Sequence, residues 1–267
     1  MKRKMAVAGK FYPRDSEELL CNIKSCTPEV KQKNRAIGVL TPHAGFIYSG
    51  DVVGSVLASI EIPDTIILLG PNHTQQGPRV SLMHEGTWDS PLGEVEIDAS
   101  LARTILETPS PIKADMLAHQ YEHSLETQIP FIQHFRKDFK IIPICLQHIS
   151  LNTCRTVSTA ILAGIKKLNR NVLLIASSDM THYEPHEKVE QKDKLAIAQI
   201  LKLDPEGLYL TVRENSISMC GVIPTTIMLM TGNQLGAKNA TLIKYTTSGK
   251  VTGKMNQVVG YAGMTIS

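Results

Sequence analysis

The sequence has no apolar run near the roughly 18 residues that a membrane-crossing helix requires. Its basic start, MKRKMAVAGKFYP, is interrupted by Gly9, Lys10 and Pro13, so the apolar stretch of a signal peptide does not form. The five cysteines are an odd number and contain no CxxC pair, which argues against a disulfide framework. These absences predict a cytoplasmic protein with no membrane association.

The sequence also lacks long runs of like charge and any segment that would separate two domains. The formal net charge is +3 and the basic clusters at Lys2–Lys4 and Lys31–Arg35 are short, so a nucleic-acid partner is not predicted. No repeat, low-complexity tract or linker divides the chain. With 42% apolar and 20% charged residues the sequence is typical of a soluble globular protein, and we expect a single domain over residues 1–267.

Four short apolar runs predict buried strands. They lack the alternation of polar and apolar residues that marks a strand with one solvent face, which favours a sheet covered by helices on both sides. Segments with helical spacing lie between them, so strand and helix alternate. The predicted strands are Ala36–Thr41, Thr65–Gly70, Lys140–Leu146 and Asn171–Ser177, and the predicted helices are Gly50–Ile60, Ser100–Leu106, Tyr121–Arg136 and Asn152–Lys167.

The last third of the chain changes its pattern. Helices are predicted near Glu187–Leu201, near Pro205–Arg213 and from Cys220 onward. Two further strands, Ala240–Gly249 and Val258–Ile266, extend the sheet, with a loop between them. We therefore expect an α/β fold, a three-layer sandwich with a mixed, largely parallel central sheet.

Polar side chains gather after three of the predicted strands. His43 follows the first strand, and Asn72 and His73 follow the second. Asp179 and His182 follow the fourth. In open α/β sheets, ligands bind outside the carboxyl ends of the parallel strands, where the loops converge. We therefore expect these residues to share one edge of the sheet.

A metal site is predicted at this edge. His43 and His73 are separated by about one strand–helix–strand unit, so their imidazoles can meet there. Neutral imidazole binds iron, copper, zinc and nickel, and two imidazoles with one anionic ligand leave coordination positions open. Cys220 is the best third ligand, because the predicted helix start would lower its thiol pKa and favour the thiolate. Each residue alone is more often structural, so the hypothesis depends on their convergence.

Two further pairs of polar residues suit supporting roles. Asp179 and His182 suit an acid–base pair that moves protons beside the metal, and the alternative is a carboxylate that caps a turn. His123 and Glu126 are three apart in a predicted helix and share a face, which suits a ligand or supporting pair. The alternative is a capping cluster at the helix start. His148, which also follows a strand, is a competing ligand.

Seven ordered motifs carry a resemblance to a known family. They are AVAGKFYP, TPHAGFIYSG, LLGPNHT, EHSLETQIPF, SSDMTHY, MCGVIP and YTTSGKVTGKMNQVVGYAGM. Together they run through nearly the whole chain, and the sequence resembles the MEMO family, named for the human mediator of ErbB2-driven cell motility. The resemblance implies a fold similar to that of the class III non-haem iron extradiol dioxygenases.

The same resemblance implies roles for particular residues. His43, His73 and Cys220 match the metal-binding positions of the family, and His182 matches the acid–base histidine of the dioxygenases, with Asp179 beside it. The dioxygenases have a carboxylate where this sequence has the cysteine, and a thiolate shifts the preference towards copper or zinc. Ring cleavage therefore does not follow from the fold. We expect an iron or copper cofactor and a redox or oxygen-dependent reaction.

Other functions stay open on the sequence alone. Prokaryotic proteins of this kind resemble a component encoded beside a radical-SAM protein and an AMMECR1-like protein, which suggests those two partners. A non-catalytic binding module is the main alternative, in which Asn72, Thr74, Ser49 and Tyr48 would hydrogen-bond a phosphate- or carboxylate-bearing ligand. A serine hydrolase using Ser49 or Ser178 is weaker, because the chain contains no GxSxG motif. Zinc-dependent hydrolysis at the two histidines is a further alternative.

Overall fold

A computed structural model describes residues 1–267 as twelve strands and ten helices. The strands are β1 (Lys2–Arg3), β2 (Gly38–Thr41), β3 (Thr65–Pro71), β4 (Val80–Leu82), β5 (Thr87–Trp88), β6 (Val95–Ile97), β7 (Lys113–Ala114), β8 (Lys140–Leu146), β9 (Val172–Ser177), β10 (His182–Glu184), β11 (Ala240–Thr247) and β12 (Val258–Ile266). The helices are α1 (Ser16–Ser25), α2 (Phe46–Ala58), α3 (Ala99–Glu107), α4 (Leu117–Gln120), α5 (Gln128–Phe135), α6 (Leu151–Lys167), α7 (His186–Leu201), α8 (Pro205–Glu214), α9 (Val222–Gln234) and α10 (Ser248–Thr252).

Four parallel strands form the centre of the sheet in the order β8, β3, β9, β2. Thr65 of β3 pairs with Lys140 on one side and with Val172 on the other. Apart from Lys140, the residues of these strands are buried, as their unbroken apolar pattern predicts. The four predicted strands are confirmed, because each observed end lies within two residues of its predicted position.

The sheet is mixed because antiparallel strands flank the four central ones: β4 runs antiparallel to β8 on one side, and β12 extends the sheet beyond β2 on the other. β12 runs antiparallel to β2, and both β10 and β11 pair antiparallel with β12. Helices α1, α2 and α5 pack together on one face of the sheet, and α3, α6 and α9 pack together on the other. The buried apolar residues form a cluster that extends from Val7 to Ile266. The predicted α/β sandwich with a largely parallel central sheet is confirmed.

The predicted helix Tyr121–Arg136 is wrong over its first half. Helix α5 begins only at Gln128, and the residues before it form turns. The carboxylate of Glu122 accepts hydrogen bonds from the backbone N–H groups of the next two residues, each at 2.9 Å. A side chain that binds nearby backbone in this way competes with helical hydrogen bonding. His123 and Glu126 consequently do not share the face of a helix.

The end of the chain differs from the prediction in two details. The two predicted strands are confirmed as β11 and β12, but the segment between them contains the short helix α10. Gly253 ends α10 with a φ of 73°, a left-handed conformation that glycine adopts without steric cost. Helix α9 begins at Val222, so Cys220 precedes the helix instead of lying inside its first turn.

None of the ten helices has the length and apolar character that crossing a membrane requires.

Candidate metal centre

His43 lies two residues beyond the end of β2, and only 2% of its surface is exposed. Its Nδ1 atom lies 2.8 Å from the hydroxyl oxygen of Ser177. That hydroxyl donates its own proton to the carbonyl of Ser124 at 2.7 Å, so Nδ1 of His43 must be the protonated nitrogen that donates to Ser177. Nε2 of His43 therefore keeps a free lone pair, which is the form of imidazole that binds a metal ion.

His73 is held in the same way, by the carboxylate of Glu122. Nδ1 of His73 lies 2.9 Å from Oε1 of Glu122, and the backbone N–H of His73 donates to Oε2 at 2.5 Å. Burial by itself would raise the pKa of Glu122, but the hydrogen bond and charge of His73 and the N–H of Ser124 lower that pKa to about 2. The carboxylate is an acceptor, so in the neutral form of His73 the proton lies on Nδ1 and Nε2 is free.

His123 completes a cluster of three imidazoles. The ring centroids are 5.2 Å apart for His43 and His73, 5.4 Å for His43 and His123, and 4.7 Å for His73 and His123. Each ring offers one ligand atom, and these atoms all lie within 4.8 Å of one another. Burial, followed by the neighbouring imidazoles, lowers the pKa of His43 well below its ordinary value. Burial also lowers the pKa of His123, so both rings are neutral near pH 7.

Cys220 approaches this imidazole cluster from the segment before α9. Its Sγ atom lies 3.3 Å from Nε2 of His43 and accepts a hydrogen bond from the backbone N–H of Asp179 at 3.2 Å. Burial, and then the charge of Asp179, raise the pKa of the Cys220 thiol, so the expected lowering by a helix N-terminus is wrong. A coordinated metal ion would lower the pKa of this thiol, because a metal-bound thiol loses its proton.

Asp179 and His182 lie near one another but do not form the predicted pair. Oδ1 of Asp179 accepts the backbone N–H of His43 at 2.9 Å, so this carboxylate fixes the loop that carries a candidate ligand. Burial raises the pKa of Asp179 against the effects of the His43 N–H and the charge of His182. His182 instead places Nδ1 at 2.9 Å from the carbonyl of Ser218. Its Nδ1 is therefore the donor, and Nε2 is available to exchange a proton.

The remaining predicted site residues lie outside the imidazole cluster. The amide of Asn72 donates to the Gln76 carbonyl at 2.7 Å, and its oxygen accepts the Thr74 hydroxyl at 2.8 Å, so Asn72 stabilises its own loop. Tyr48 lies on α2 with 38% of its surface exposed, and its hydroxyl has no hydrogen-bond partner in the cluster. Glu126 is buried and accepts the hydroxyl of Tyr12 at 2.6 Å, whereas His123, named with it in the sequence analysis, lies in the imidazole cluster.

A cavity of about 340 Å³ adjoins the cluster, and its lining includes both His73 and Cys220. Met219, Val222 and Ile223 supply apolar surface there. His148, the competing ligand of the sequence analysis, lines the same cavity but is exposed. Three imidazoles beside a thiol fit a copper, zinc or iron ion, since these metals favour nitrogen and sulfur ligands. Sequence reasoning did not recognise Glu122 as the partner of His73, although a carboxylate near a metal-binding histidine is a recurrent feature of such sites.

The fold and the imidazole cluster define an α/β protein with a candidate metal centre at the carboxyl edge of its sheet. A crystal structure of an uncharacterized protein from Escherichia coli K12 has the same fold, with a TM-score of 0.60 and 12% identity. The match covers 86% of this chain and 100% of that chain. At this identity the likeness shows the fold alone.

Sequence relatives give the family. A family model described as "Memo-like protein" matches residues 3–265. A MEMO1 family protein of Pyrobaculum arsenaticum is 42% identical in an alignment of 274 positions that covers 98% of each chain. A MEMO1 family protein of Methanosarcina barkeri is 42% identical in an alignment of 267 positions that covers 99% of each chain. One of Methanopyrus kandleri is 41% identical in an alignment of 278 positions that covers 99% of this chain and 98% of that one. The chain therefore belongs to the MEMO family.

Proposed function

We propose that this protein holds a single metal ion and uses it in a redox or oxygen-dependent reaction. His43, His73 and His123 would present three imidazoles to the ion, and Cys220 would present a thiolate. The observation that carries the proposal is the convergence of three imidazole ligand atoms within 4.8 Å of one another. His43 is buried and its imidazole has lost its contact with water, a cost that a bound metal ion would offset.

The hydrogen bonds around the cluster support the proposal. Ser177 fixes the tautomer of His43, and Glu122 fixes that of His73, so both Nε2 atoms are free. Partners of this kind orient the ligand rings and make them more basic.

Iron and copper are the proposed metals, and the donor set favours copper of the two. Imidazole and thiolate are soft ligands by comparison with carboxylate, and copper binds such ligands more tightly than iron does. When bound, either metal supplies one-electron chemistry. The protein itself contributes a partly apolar cavity for a small ligand and the half-buried His182, whose Nε2 is free to accept or give a proton.

Anaerobic purification followed by metal analysis tests this function. We expect the wild-type protein to carry iron or copper and to show a reversible redox titration. His43→Ala and His123→Ala should each lower the bound metal, because each removes a member of the cluster. His148→Ala is the matched control, since this histidine lines the same cavity outside the cluster. Wild-type metal content in His43→Ala would exclude the proposed ligand set.

A further inference from the structure

The segment between α4 and α5 carries two residues of the candidate metal centre without regular secondary structure. It contains Glu122, which holds His73, and His123, which lies in the imidazole cluster. An irregular backbone has few hydrogen bonds of its own, so its position depends on contacts from elsewhere in the chain. One side chain that supplies two of these contacts, to Glu122 and Glu126, is Arg3 of β1.

Arg3 binds the end of α4 and this segment at three points. Its Nε donates to the carbonyl of His119 at 2.9 Å, and Nη2 donates to the carbonyl of Glu122 at 2.6 Å. Nη1 forms an ion pair with Glu126. The side chain is 1% exposed, and the guanidinium lies 4.3 Å from the centroid of the Trp88 ring. A planar group with several fixed donors is suited to hold three acceptors at once.

Glu126 extends the contact to the rest of the N-terminal segment. Its carboxylate accepts the backbone N–H groups of Ala6 at 2.8 Å and Val7 at 3.0 Å, as well as the hydroxyl of Tyr12. The ring of Phe11, in the same segment, packs against the ring of His123 with centroids 4.7 Å apart. The first twelve residues therefore reach the metal centre both through Glu126 and through a direct contact with a candidate ligand.

We infer that Arg3 is a positioning residue of the metal centre, acting through the backbone of Glu122. The inference depends on the proposed function. Arg3 fixes the carbonyl of Glu122, the carboxylate of Glu122 fixes the tautomer of His73, and His123 is the next residue in the chain. A lysine at position 3 keeps the charge, but its three N–H donors all come from one nitrogen on a flexible stem, so they cannot reproduce the planar spread of the guanidinium that joins His119, Glu122 and Glu126.

The experiment compares Arg3→Lys with Arg103→Lys in the full chain. Arg103 also pairs with a glutamate, but on the surface and away from the cluster, so it is the matched control. The probe is Co(II), whose absorption reports the ligand geometry. We expect Arg3→Lys to weaken Co(II) binding by about 10-fold or more and to change the absorption spectrum, whereas Arg103→Lys changes neither.

A second measurement uses the metal-free proteins. Amide hydrogen exchange in residues 119–127 should accelerate in Arg3→Lys, while exchange in the central strands stays slow. Glu126→Gln keeps the shape of the side chain and should give a smaller change in the same direction. It also provides the test if Arg3→Lys does not fold.

The outcomes separate the two proposals. If the wild-type protein binds no Co(II), iron or copper, the proposed function fails, and the exchange measurement alone decides whether Arg3 positions the segment. Wild-type Co(II) affinity and spectrum in Arg3→Lys would overturn the inference while leaving the metal centre intact. Unchanged exchange in residues 119–127 of both variants would overturn it as well.

Discussion

The Sγ atom of Cys220 lies 3.3 Å from Nε2 of His43, although 177 positions separate the two residues in the chain. The contact forms where the end of β9 meets the segment before α9. Gly221 allows this approach, because a Cβ atom there would clash with the carbonyl of Ser177 and the side chain of Ser178. A soft sulfur donor is thereby held against the most buried imidazole of the cluster.

Replacing Cys220 by serine tests the thiolate. We expect Cys220→Ser to retain some metal through the imidazoles but to lose the sulfur-to-metal charge-transfer band of a bound Co(II) or Cu(II) ion. Affinity for Cu(I) should fall by about 10-fold or more, because a hydroxyl is a poor ligand for a soft ion. Cys21→Ser, at an exposed position, is the control. A charge-transfer band that survives in Cys220→Ser would show that this sulfur is not a ligand.

Replacing Glu122 by glutamine tests the support of His73. A glutamine cannot accept hydrogen bonds at both of its terminal atoms, so the Nδ1–H and the backbone N–H of His73 cannot both keep their partners. We expect metal affinity to fall by about 10- to 100-fold, as measured by competition with a chelator of known affinity. Glu85→Gln removes a surface carboxylate and should leave the affinity unchanged. Equal affinity in the two variants would contradict the assigned role of Glu122.

Replacing Gly221 by alanine tests the close approach of Cys220. The added methyl group has no space, so we expect a loss of about 1–3 kcal/mol in the free energy of unfolding, together with weaker metal binding. Gly232→Ala lies in the same helix region, where the nearest atoms to the added Cβ are 3.8 Å away, and should be neutral or stabilising. Urea unfolding of both variants measures the difference. Equal stability of the two would show that the segment can shift without cost.

The buried His119 predicts that acid destabilises the protein well above the titration of ordinary carboxylates. Burial, and then the charge of Arg3, lower the pKa of His119 from 6.5 to about 4. Between these values the unfolded chain binds a proton that the folded chain does not, so the free energy of unfolding falls as the pH falls from 6.5 to 4. For this residue the loss is on the order of 3 kcal/mol.

Urea unfolding of the metal-free protein at pH 7 and at pH 4 measures this loss. His119→Asn removes the titrating group and should show a shallower dependence on pH. Its stability at pH 7 should be lower, because Cys145 loses its hydrogen-bond partner and Ser81 keeps only Asp115. The same pH dependence in both proteins would assign the effect to other groups, such as His43, whose pKa is also lowered.

The central strands could be predicted from local sequence because their physical cause is local. Ile66 to Leu69 and Leu173 to Ala176 are unbroken apolar runs that only a sheet covered on both faces can bury. The position of His43 and His73 at one sheet edge follows from this pattern, since each comes directly after such a strand. The rings of these two histidines do meet, with their centroids 5.2 Å apart.

The segment around His123 could not be predicted in the same way. Its apolar spacing is typical of a helix, but the carboxylate of Glu122 and the guanidinium of Arg3 are among the groups that hold it in another conformation. Arg3 and Glu122 are 119 positions apart, so no local pattern reveals their contact. The prediction of a lowered thiol pKa for Cys220 failed for a related reason. Burial raises this pKa more than the predicted helix N-terminus would lower it, and the extent of burial depends on every segment packed around the thiol.

The sequence by itself determined the order of strands and helices, the family and the edge of the sheet at which polar residues collect, because these follow from short-range periodicity and from motifs. Only the tertiary structure decided which side chains form the cluster, which nitrogen of each ring carries the proton and which carboxylate supports it. Hydrogen bonds between distant residues set these features. Such contacts depend on distances of a few tenths of an ångström that no sequence spacing specifies.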